Sequence, residues 1–414
     1  MNEPWIVVVD PYSSGSLLPA EFRKHGYRCV GVRSTPEVPT LYRRSFDPAA
    51  FDEVLPYIAG HEELAATLRH RDVRYVLPGC ELGVDLAQCL SETLGLPSNQ
   101  AGLRDARRDK YVMNEAVAAQ SLRTAPQITS HQPSDVLAWA NRRGNWPIVV
   151  KPRMSTASDS VHLCHSAANA VHAFECIMNT RNVLGLDNGA VLAQEFLDGT
   201  EYIIDTVSCQ GQHRVAALWR GERSSLSEGE IGYDSIVLLP AEGPLQTELV
   251  AFAFAALDAL GIEHGPAHTE LMWRDDGVAF VETGARLNGG KIPVITRACC
   301  GAGQVELTVE SIVDPEGFQS RRRQRYQLSR HGALAFLVPP VKGKLTDVPR
   351  LADIRALPSH SESHIRPRPH EPVPRIVGWV SLIHDDPAVV ARDLARIRQL
   401  EVDGLYDIQP LDSR

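Results

Sequence analysis

The stretch His268–Gly290, HTELMWRDDGVAFVETGARLNGG, constrains the chain more than any other, because it encodes two strands and the turn between them. Leu271-Met272-Trp273 and Val278-Ala279-Phe280-Val281 are rich in strand formers, and Asp275-Asp276-Gly277 supplies turn chemistry with Gly at a left-handed position. With a three-residue loop, Glu270 faces Glu282 across the hairpin. Directly opposed positions hold their Cβ atoms roughly 4.5–5.5 Å apart, and like charges there are unfavourable unless something positive lies between them. Hard oxygen ligands without neighbouring Cys or clustered His favour Mg²⁺ or Mn²⁺, and Mg²⁺ takes one or two carboxylates together with substrate phosphates. The pair points to a nucleotide. An exposed hairpin edge carrying two solvated glutamates is the competing reading.

The rest of the chain must be asked which reading it supports. Its 414 residues, 43% hydrophobic and 22% charged, suffice for about two to four core-bearing units. A formal charge of −9 argues against a broad nucleic-acid or anionic-membrane surface and favours small-molecule substrates. No run approaches the roughly 18 apolar residues of a membrane span, and MNEPW leads straight into the strand-like Ile6–Val9, so a cytoplasmic protein is expected. The eight cysteines are scattered, with only Cys299-Cys300 adjacent, which suits reduced thiols. His360, His364 and His370 fall in the Pro-rich segment SHSESHIRPRPHEPVP, read as a solvated loop.

The chain opens as βαβ: Ile6–Val9 (strand), Leu17–His25 (helix), Cys29–Val32 (strand), then Glu62–Arg69, Tyr75–Pro78 and Val84–Leu94 in the same alternation. A small parallel sheet ending near Pro97 follows from this. PYSSGS lacks the GxGxxG glycines and Arg33-Ser34 replaces the ribose-binding acid, so dinucleotide binding is disfavoured. Ala101–Gln120 reads as a helix containing Asp109-Lys110. Ile148–Pro152 is a covered strand with Lys151 at its exit, followed by the small-residue loop Arg153–Val161, RMSTASDSV, whose backbone N–H groups suit phosphate. Val191–Leu197 is a further strand, Glu201–Ser208 pairs with Arg214–Trp219, and Gly221–Asp234 reads as a long polar loop, a candidate lid. Leu249–Leu260 is a helix, and Gly332–Gly404 forms a last unit.

The order Lys110, Lys151 with its loop, Gln194-Glu195-Phe196-Leu197 with Gly199 and Glu201, then Glu270, Glu282 and Arg286 resembles the ATP-grasp superfamily of carboxylate-amine ligases, and most closely the bacterial L-amino acid ligases that make dipeptides. The resemblance implies an α/β chain with a Rossmann-like pre-grasp domain (1–97), an ATP-grasp domain of two lobes (98–330) and a small C-terminal domain (331–414). It implies that Lys110, Lys151, Ser155 and Ser158 meet nucleotide phosphates, that Gln194–Leu197 hold adenine, and that Glu201 holds the ribose. It further implies that Glu270 and Glu282, with Asn288, hold Mg²⁺ or Mn²⁺, while Arg286 carries the charge of the transferring phosphoryl group. His268, Gly289 and Gly290 would face the substrate. The expected reaction joins an amino acid carboxylate, activated by ATP as an acyl phosphate, to an amine. A carrier-protein thiol, a small-metabolite amine, or carboxylase and formyl-phosphate chemistry are the alternatives on the same fold, and a homodimer fits the family.

Two departures from the family pattern stand out. Gly284 occupies the place, two residues after the second glutamate, where many members carry a metal-ligating Asn, and the phosphate loop contains no glycine.

Overall fold

The computed structural model describes residues 3–144, 146–225, 231–341, 343–365 and 376–410. Near the N-terminus, four parallel strands run in the spatial order Glu53–Val54, Arg28–Val32, Trp5–Val9, Val73–Pro78. Strands covered on both faces need unbroken apolar runs, and Ile6–Val9 is such a run, fully buried. The strand order reverses beside Trp5–Val9, so a crevice opens at the carboxyl ends of the strands, the usual ligand position in open α/β sheets. Tight backbone contact shapes that crevice: a Cβ built on Gly15 would sit 2.7 Å from the carbonyl carbon of Gly79. The helical turns Ser13–Leu17 and Glu81–Gly83 line it.

The helix expected over Ala101–Gln120 is broken. Short turns at Ala101–Leu103 and Asp105–Arg107 precede a helix at Lys110–Ala119. The cause is Asp109, whose carboxylate accepts the Tyr111 and Val112 backbone N–H groups and starts a new helix there. Lys110 thereby becomes a first-turn residue.

A small antiparallel sheet, ordered Gln127–Ser130, Val191–Glu195, Ile148–Pro152, His162–Cys164, is backed on one face by helices Pro133–Arg143 and Ala167–Met178. Ile148, Val150, Val191 and Ala193 pack against those helices. The period of two turns Val149, Lys151, Leu192 and Gln194 to the other face.

Eight antiparallel strands form the main sheet, in the order Gly277–Gly284, Gly265–Arg274, Thr200–Cys209, Gln212–Ser225, Ile231–Leu238, His331–Leu337, Gly378–His384, His360–Ile365. Two expectations are corrected here. The segment read as a polar loop over Gly221–Asp234 belongs largely to a hairpin, with Gly221 opposite Ile236 and Arg223 opposite Tyr233, while residues 226–230 lie outside the described residues. Its Ser- and Gly-rich composition suggested a loop, but pairing on both sides imposes strand geometry. Likewise His360–Ile365 is an edge strand, not part of a loop; 366–375, with His370, lie outside the described residues.

The hairpin Gly265–Arg274 and Gly277–Gly284 reaches its expected register by another route. Its turn is two residues, Asp275-Asp276, with Arg274 opposite Gly277, which alone would set Glu270 against Val281. A bulge at Val281 adds the missing residue, so that Leu271 pairs with Phe280 and Glu270 with Glu282. Leu271 and Phe280 are fully buried among Val117, Ala253 and Leu257, each large side chain stabilising the hairpin by about 1.5–3 kcal/mol.

Candidate active site

The two carboxylates differ in state although they face each other. Burial, then Glu282 and Glu201, pushes the Glu270 carboxyl well above the usual carboxylate range. Burial also opposes ionisation of Glu282, but Lys110 and Lys151 outweigh it and hold Glu282 below its ordinary value. Lys110 Nζ lies 3.3 Å from Glu282 Oε2 and donates to the Ser155 carbonyl at 3.0 Å, so one ammonium joins the hairpin to the phosphate loop. Lys151, almost fully buried, is driven down to about 8 by desolvation despite Glu282. A cation from solution would relieve the first strain and phosphate the second. Among the described residues no three His, Cys, Asp or Glu side chains converge on one metal position.

The loop Arg153–Val161 achieves its shape without glycine: Ala157, Ser158 and Ser160 adopt positive φ, at a cost of order 1–3 kcal/mol each. Asp159 holds it, accepting from Ser155 Oγ and from the Val183 N–H at 2.8 Å each. The Ser155 hydroxyl is thus engaged, whereas Ser158 is exposed on the loop.

The strand carrying Gln194 and Glu195 ends at Glu195, leaving Phe196 and Leu197 in the connection to the next strand. Glu195 ion-pairs with Arg143 of the backing helix at 2.8 Å, so its side chain is turned from the cleft. Gln194 is on the Lys151 face and donates to Gln127 Oε1 at 3.0 Å. Glu201 ion-pairs with Arg223, and its other oxygen is buried beside the Tyr233 hydroxyl, neither of them in a well-formed hydrogen bond. Such an orphan is costly unless a ligand supplies a donor.

Arg286 is fixed from three sides. Its Nε lies 3.0 Å from Glu81 Oε2, one terminal nitrogen donates to the Leu287 carbonyl at 2.9 Å, and the other reaches Thr156 Oγ1 at 3.3 Å. Glu81 also binds Arg108 at 2.8 Å. Burial works against the Glu81 carboxylate, but Arg108 and Arg286 prevail and bring it to about 2.

Two placements depart from expectation. Asn288 has both ends of its amide occupied: Nδ2 donates to Asp205 Oδ1 at 2.8 Å, and Oδ1 accepts the Gly289 N–H at 2.8 Å. Its backbone is pinned too, by Gln304 Oε1 (2.7 Å) and Ser14 Oγ (2.6 Å), so it braces the loop that follows Arg286. Gly290 gives its N–H to Ser13 Oγ at 3.3 Å, so neither glycine presents the free backbone donor expected for a substrate carboxylate. His268 is buried next to Arg286 and Glu282, and desolvation, with Arg286, lowers it to about 3, a neutral imidazole.

Comparison with known proteins points the same way. A family model described as an ATP-grasp domain matches residues 144–294. Dapdiamide A synthase of Enterobacter agglomerans is 29% identical over 420 residues, covering 98% of this chain and 99% of that protein. Residues 144–294 are an ATP-grasp domain, and the likeness along the whole chain supports an ATP-grasp carboxylate-amine ligase. An L-arginine-specific L-amino acid ligase of Bacillus subtilis is 23% identical over 188 residues, 44% of each chain. In fold, the chain matches L-amino acid ligase from Bacillus licheniformis with a TM-score of 0.76 at 16% identity, over 99% of both chains. The α/β architecture and the use of ATP are accordingly those of an ADP-forming ATP-grasp ligase.

Several residues of this ATP-grasp site escaped the sequence reading. Glu81 follows a strand of the first sheet, at the crevice a doubly wound sheet reserves for ligands, and that position was its one available signal. Arg223 was hidden in a segment read as loop. Asp205 left no signal, since only the fold brings it to Asn288, and Thr156 was marked only as part of the phosphate loop, not as a partner of Arg286.

Proposed function

We propose that this ligase activates the carboxylate of an amino acid and joins it to an amine, giving a dipeptide or related amide with ADP and phosphate. The observation that carries the reading is Glu270 opposite Glu282, with Lys110 on the latter and Lys151 and Arg286 close by. The two full-coverage relatives, a dapdiamide A synthase and, in fold, an L-amino acid ligase, support amino acids as substrates.

In this reading Mg²⁺ or Mn²⁺ held by Glu270 and Glu282 would neutralise polyphosphate charge; the opposed carboxylates, with Glu270 driven toward its neutral form while no cation is bound, fit that role. Lys110 and Lys151 draw the phosphates toward the hairpin, and the orphaned Glu201 oxygen accepts a ribose hydroxyl. Gln194–Leu197 flank adenine through the cleft-facing Gln194 and the backbone that follows. Phosphoryl transfer asks chiefly for alignment and charge neutralisation. Arg286, held by Glu81 and Thr156, presents its planar donors first to the phosphoryl oxygens and then to the tetrahedral oxyanion formed as the amine adds to the acyl carbon, whose collapse to the amide expels phosphate. His268, uncharged, lines the same pocket without adding positive charge. The acyl phosphate must be kept from water, a task that suits the paired strands Gln212–Ser225 and Ile231–Leu238.

The division at 97 and 330 belongs to this reading, with the last unit's strands continuing the main sheet of the grasp lobe. So do a small-molecule acceptor rather than a carrier protein, a homodimer and a cytoplasmic setting; no helix among the described residues is long and apolar enough to cross a membrane. A pairwise amino acid screen for phosphate release with mass detection of product tests the function. ADP and an amide mass with at least one pair are expected; phosphate release only with a carrier protein, bicarbonate or formate overturns it.

A further inference from the structure

We infer that Arg223 and the nucleotide ribose exchange places on Glu201, so that nucleotide entry frees Arg223 for the polyphosphate. This deepens the proposed function and rests on its reading of Glu201 as the ribose contact.

Glu201 stands in the strand Thr200–Cys209, opposite Gly221 on one side and Met272 on the other. Its side chain has 0% exposure, whereas that of Arg223, its ion-pair partner, is 29% exposed. A ribose hydroxyl cannot reach a carboxylate with no exposed surface unless a covering group moves. The backbone at Gly221 is fixed by strand pairing on both edges. The side chains of Arg223 and Tyr233 both stand against the carboxylate, and Arg223, the longer and partly exposed one, is the side chain that can yield without disturbing the sheet.

The neighbourhood gives the displaced guanidinium somewhere to go. Arg223 lies 5.2 Å over the ring of Tyr233, a surface on which it can pivot while keeping a cation–π contact. Lys151 and Glu270 are both within electrostatic reach of it, so a short swing brings it to where the metal carboxylates and the phosphate-binding lysine meet. The room beside the orphaned Glu201 oxygen is preserved by the glycine opposite: a Cβ on Gly221 would lie 3.4 Å from Oε2 and 2.8 Å from Tyr233 Cε1.

Energetics make the exchange selective. Separating a buried carboxylate from its cation is expensive unless both find new partners. Adenosine offers hydroxyls to Glu201 but nothing to Arg223. A nucleoside diphosphate or triphosphate serves both, so the pair discriminates against unphosphorylated nucleoside and couples ribose binding to phosphate binding.

The test compares full-length wild type with Arg223→Ala, Arg223→Lys and Glu201→Gln by isothermal titration of MgADP, with adenosine as a competitor, after thermal unfolding confirms each variant is folded. Arg223→Ala should bind adenosine about threefold or more tighter, because the carboxylate is freed, and MgADP about tenfold or more weaker. Arg223→Lys, which keeps a cation, should stay within about threefold of wild type for MgADP. A purely structural Arg223 would weaken both ligands on removal, and that result, or unchanged binding of both, overturns the exchange. Glu201→Gln separates the two layers: weaker adenosine binding upholds the ribose contact even if the exchange fails, and unchanged adenosine binding removes the ribose contact itself.

Discussion

The imidazole of His268 fills the space in front of Gly284, directly across the hairpin from it. A Cβ built at residue 284 would lie 2.9 Å from His268 Nε2 and 3.0 Å from Nδ1, closer than side chains approach one another. The glycine that departs from the family pattern is therefore matched to this histidine. Gly284→Asn should lower the melting temperature by several degrees, since overpacking costs about 1–3 kcal/mol. Combining it with His268→Ala should restore most of the loss. Equal melting temperatures for single and double variants would break the link.

Asn288 should matter to substrate and not to metal. Its amide is committed to Asp205 and Gly289, so Asn288→Ala loosens the loop after Arg286. We expect Mn²⁺ affinity, followed by electron paramagnetic resonance, to change less than about twofold, while KM for the amino acid rises about tenfold, the loss of roughly one charged hydrogen bond. A large drop in Mn²⁺ affinity would return Asn288 to the metal site.

These two residues also show where the sequence was legible. Glu270 and Glu282 were readable because strand formers, turn residues and period-two alternation are local, and a miscounted turn was offset by a bulge that no composition reveals. The order of lysines, hinge and glutamates carried the family. The bracing of Arg286 by Glu81 was not readable, because the partners are 205 residues apart and meet only when the first sheet docks against the hairpin. The strand character of 221–225 was lost because Ser and Gly report turn propensity, whereas pairing on both edges set the outcome.

Glu270→Gln should leave the ligand-free protein as stable as wild type, or more so, at pH 7. Burial and the facing Glu282 already favour its neutral form, so an uncharged amide removes a repulsion. The same change should abolish Mn²⁺ binding and ADP release. Clear destabilisation in thermal melts would mean that Glu270 is an ionised partner in a structural pair.

Glu81 ties acid stability to catalysis. Its carboxyl lies near 2, below the unfolded value of about 4.3, so its contribution is fully present above the unfolded value and is lost as pH falls through the folded one. The window is about 4.3 to 2, and the full effect is of order 3 kcal/mol. In Glu81→Gln the wild-type dependence of unfolding free energy on pH in that window should flatten. At pH 7 kcat should fall about a hundredfold with nucleotide KM nearly unchanged, because Arg286 loses its orientation but ATP keeps its lysines. Parallel losses in kcat and in nucleotide affinity would show a general collapse of the site instead.

Lys151 should report phosphate arrival as proton uptake. Desolvation sets it near 8, so about half the molecules carry a neutral amine at pH 8, and a phosphate beside it restores the charge. Metal-free ADP isolates this event from any proton released by Glu270. Calorimetry in buffers of different ionisation enthalpy should find uptake of about half a proton at pH 8, declining toward zero at pH 6.5, where the amine is already charged. Lys151→Met should abolish the uptake. It should also stabilise the ligand-free protein: the folded value lies below the unfolded one, so protonation opposes folding, with the cost present in full below 8 and vanishing above about 10.4. Uptake that persists in Lys151→Met would assign the proton to another group.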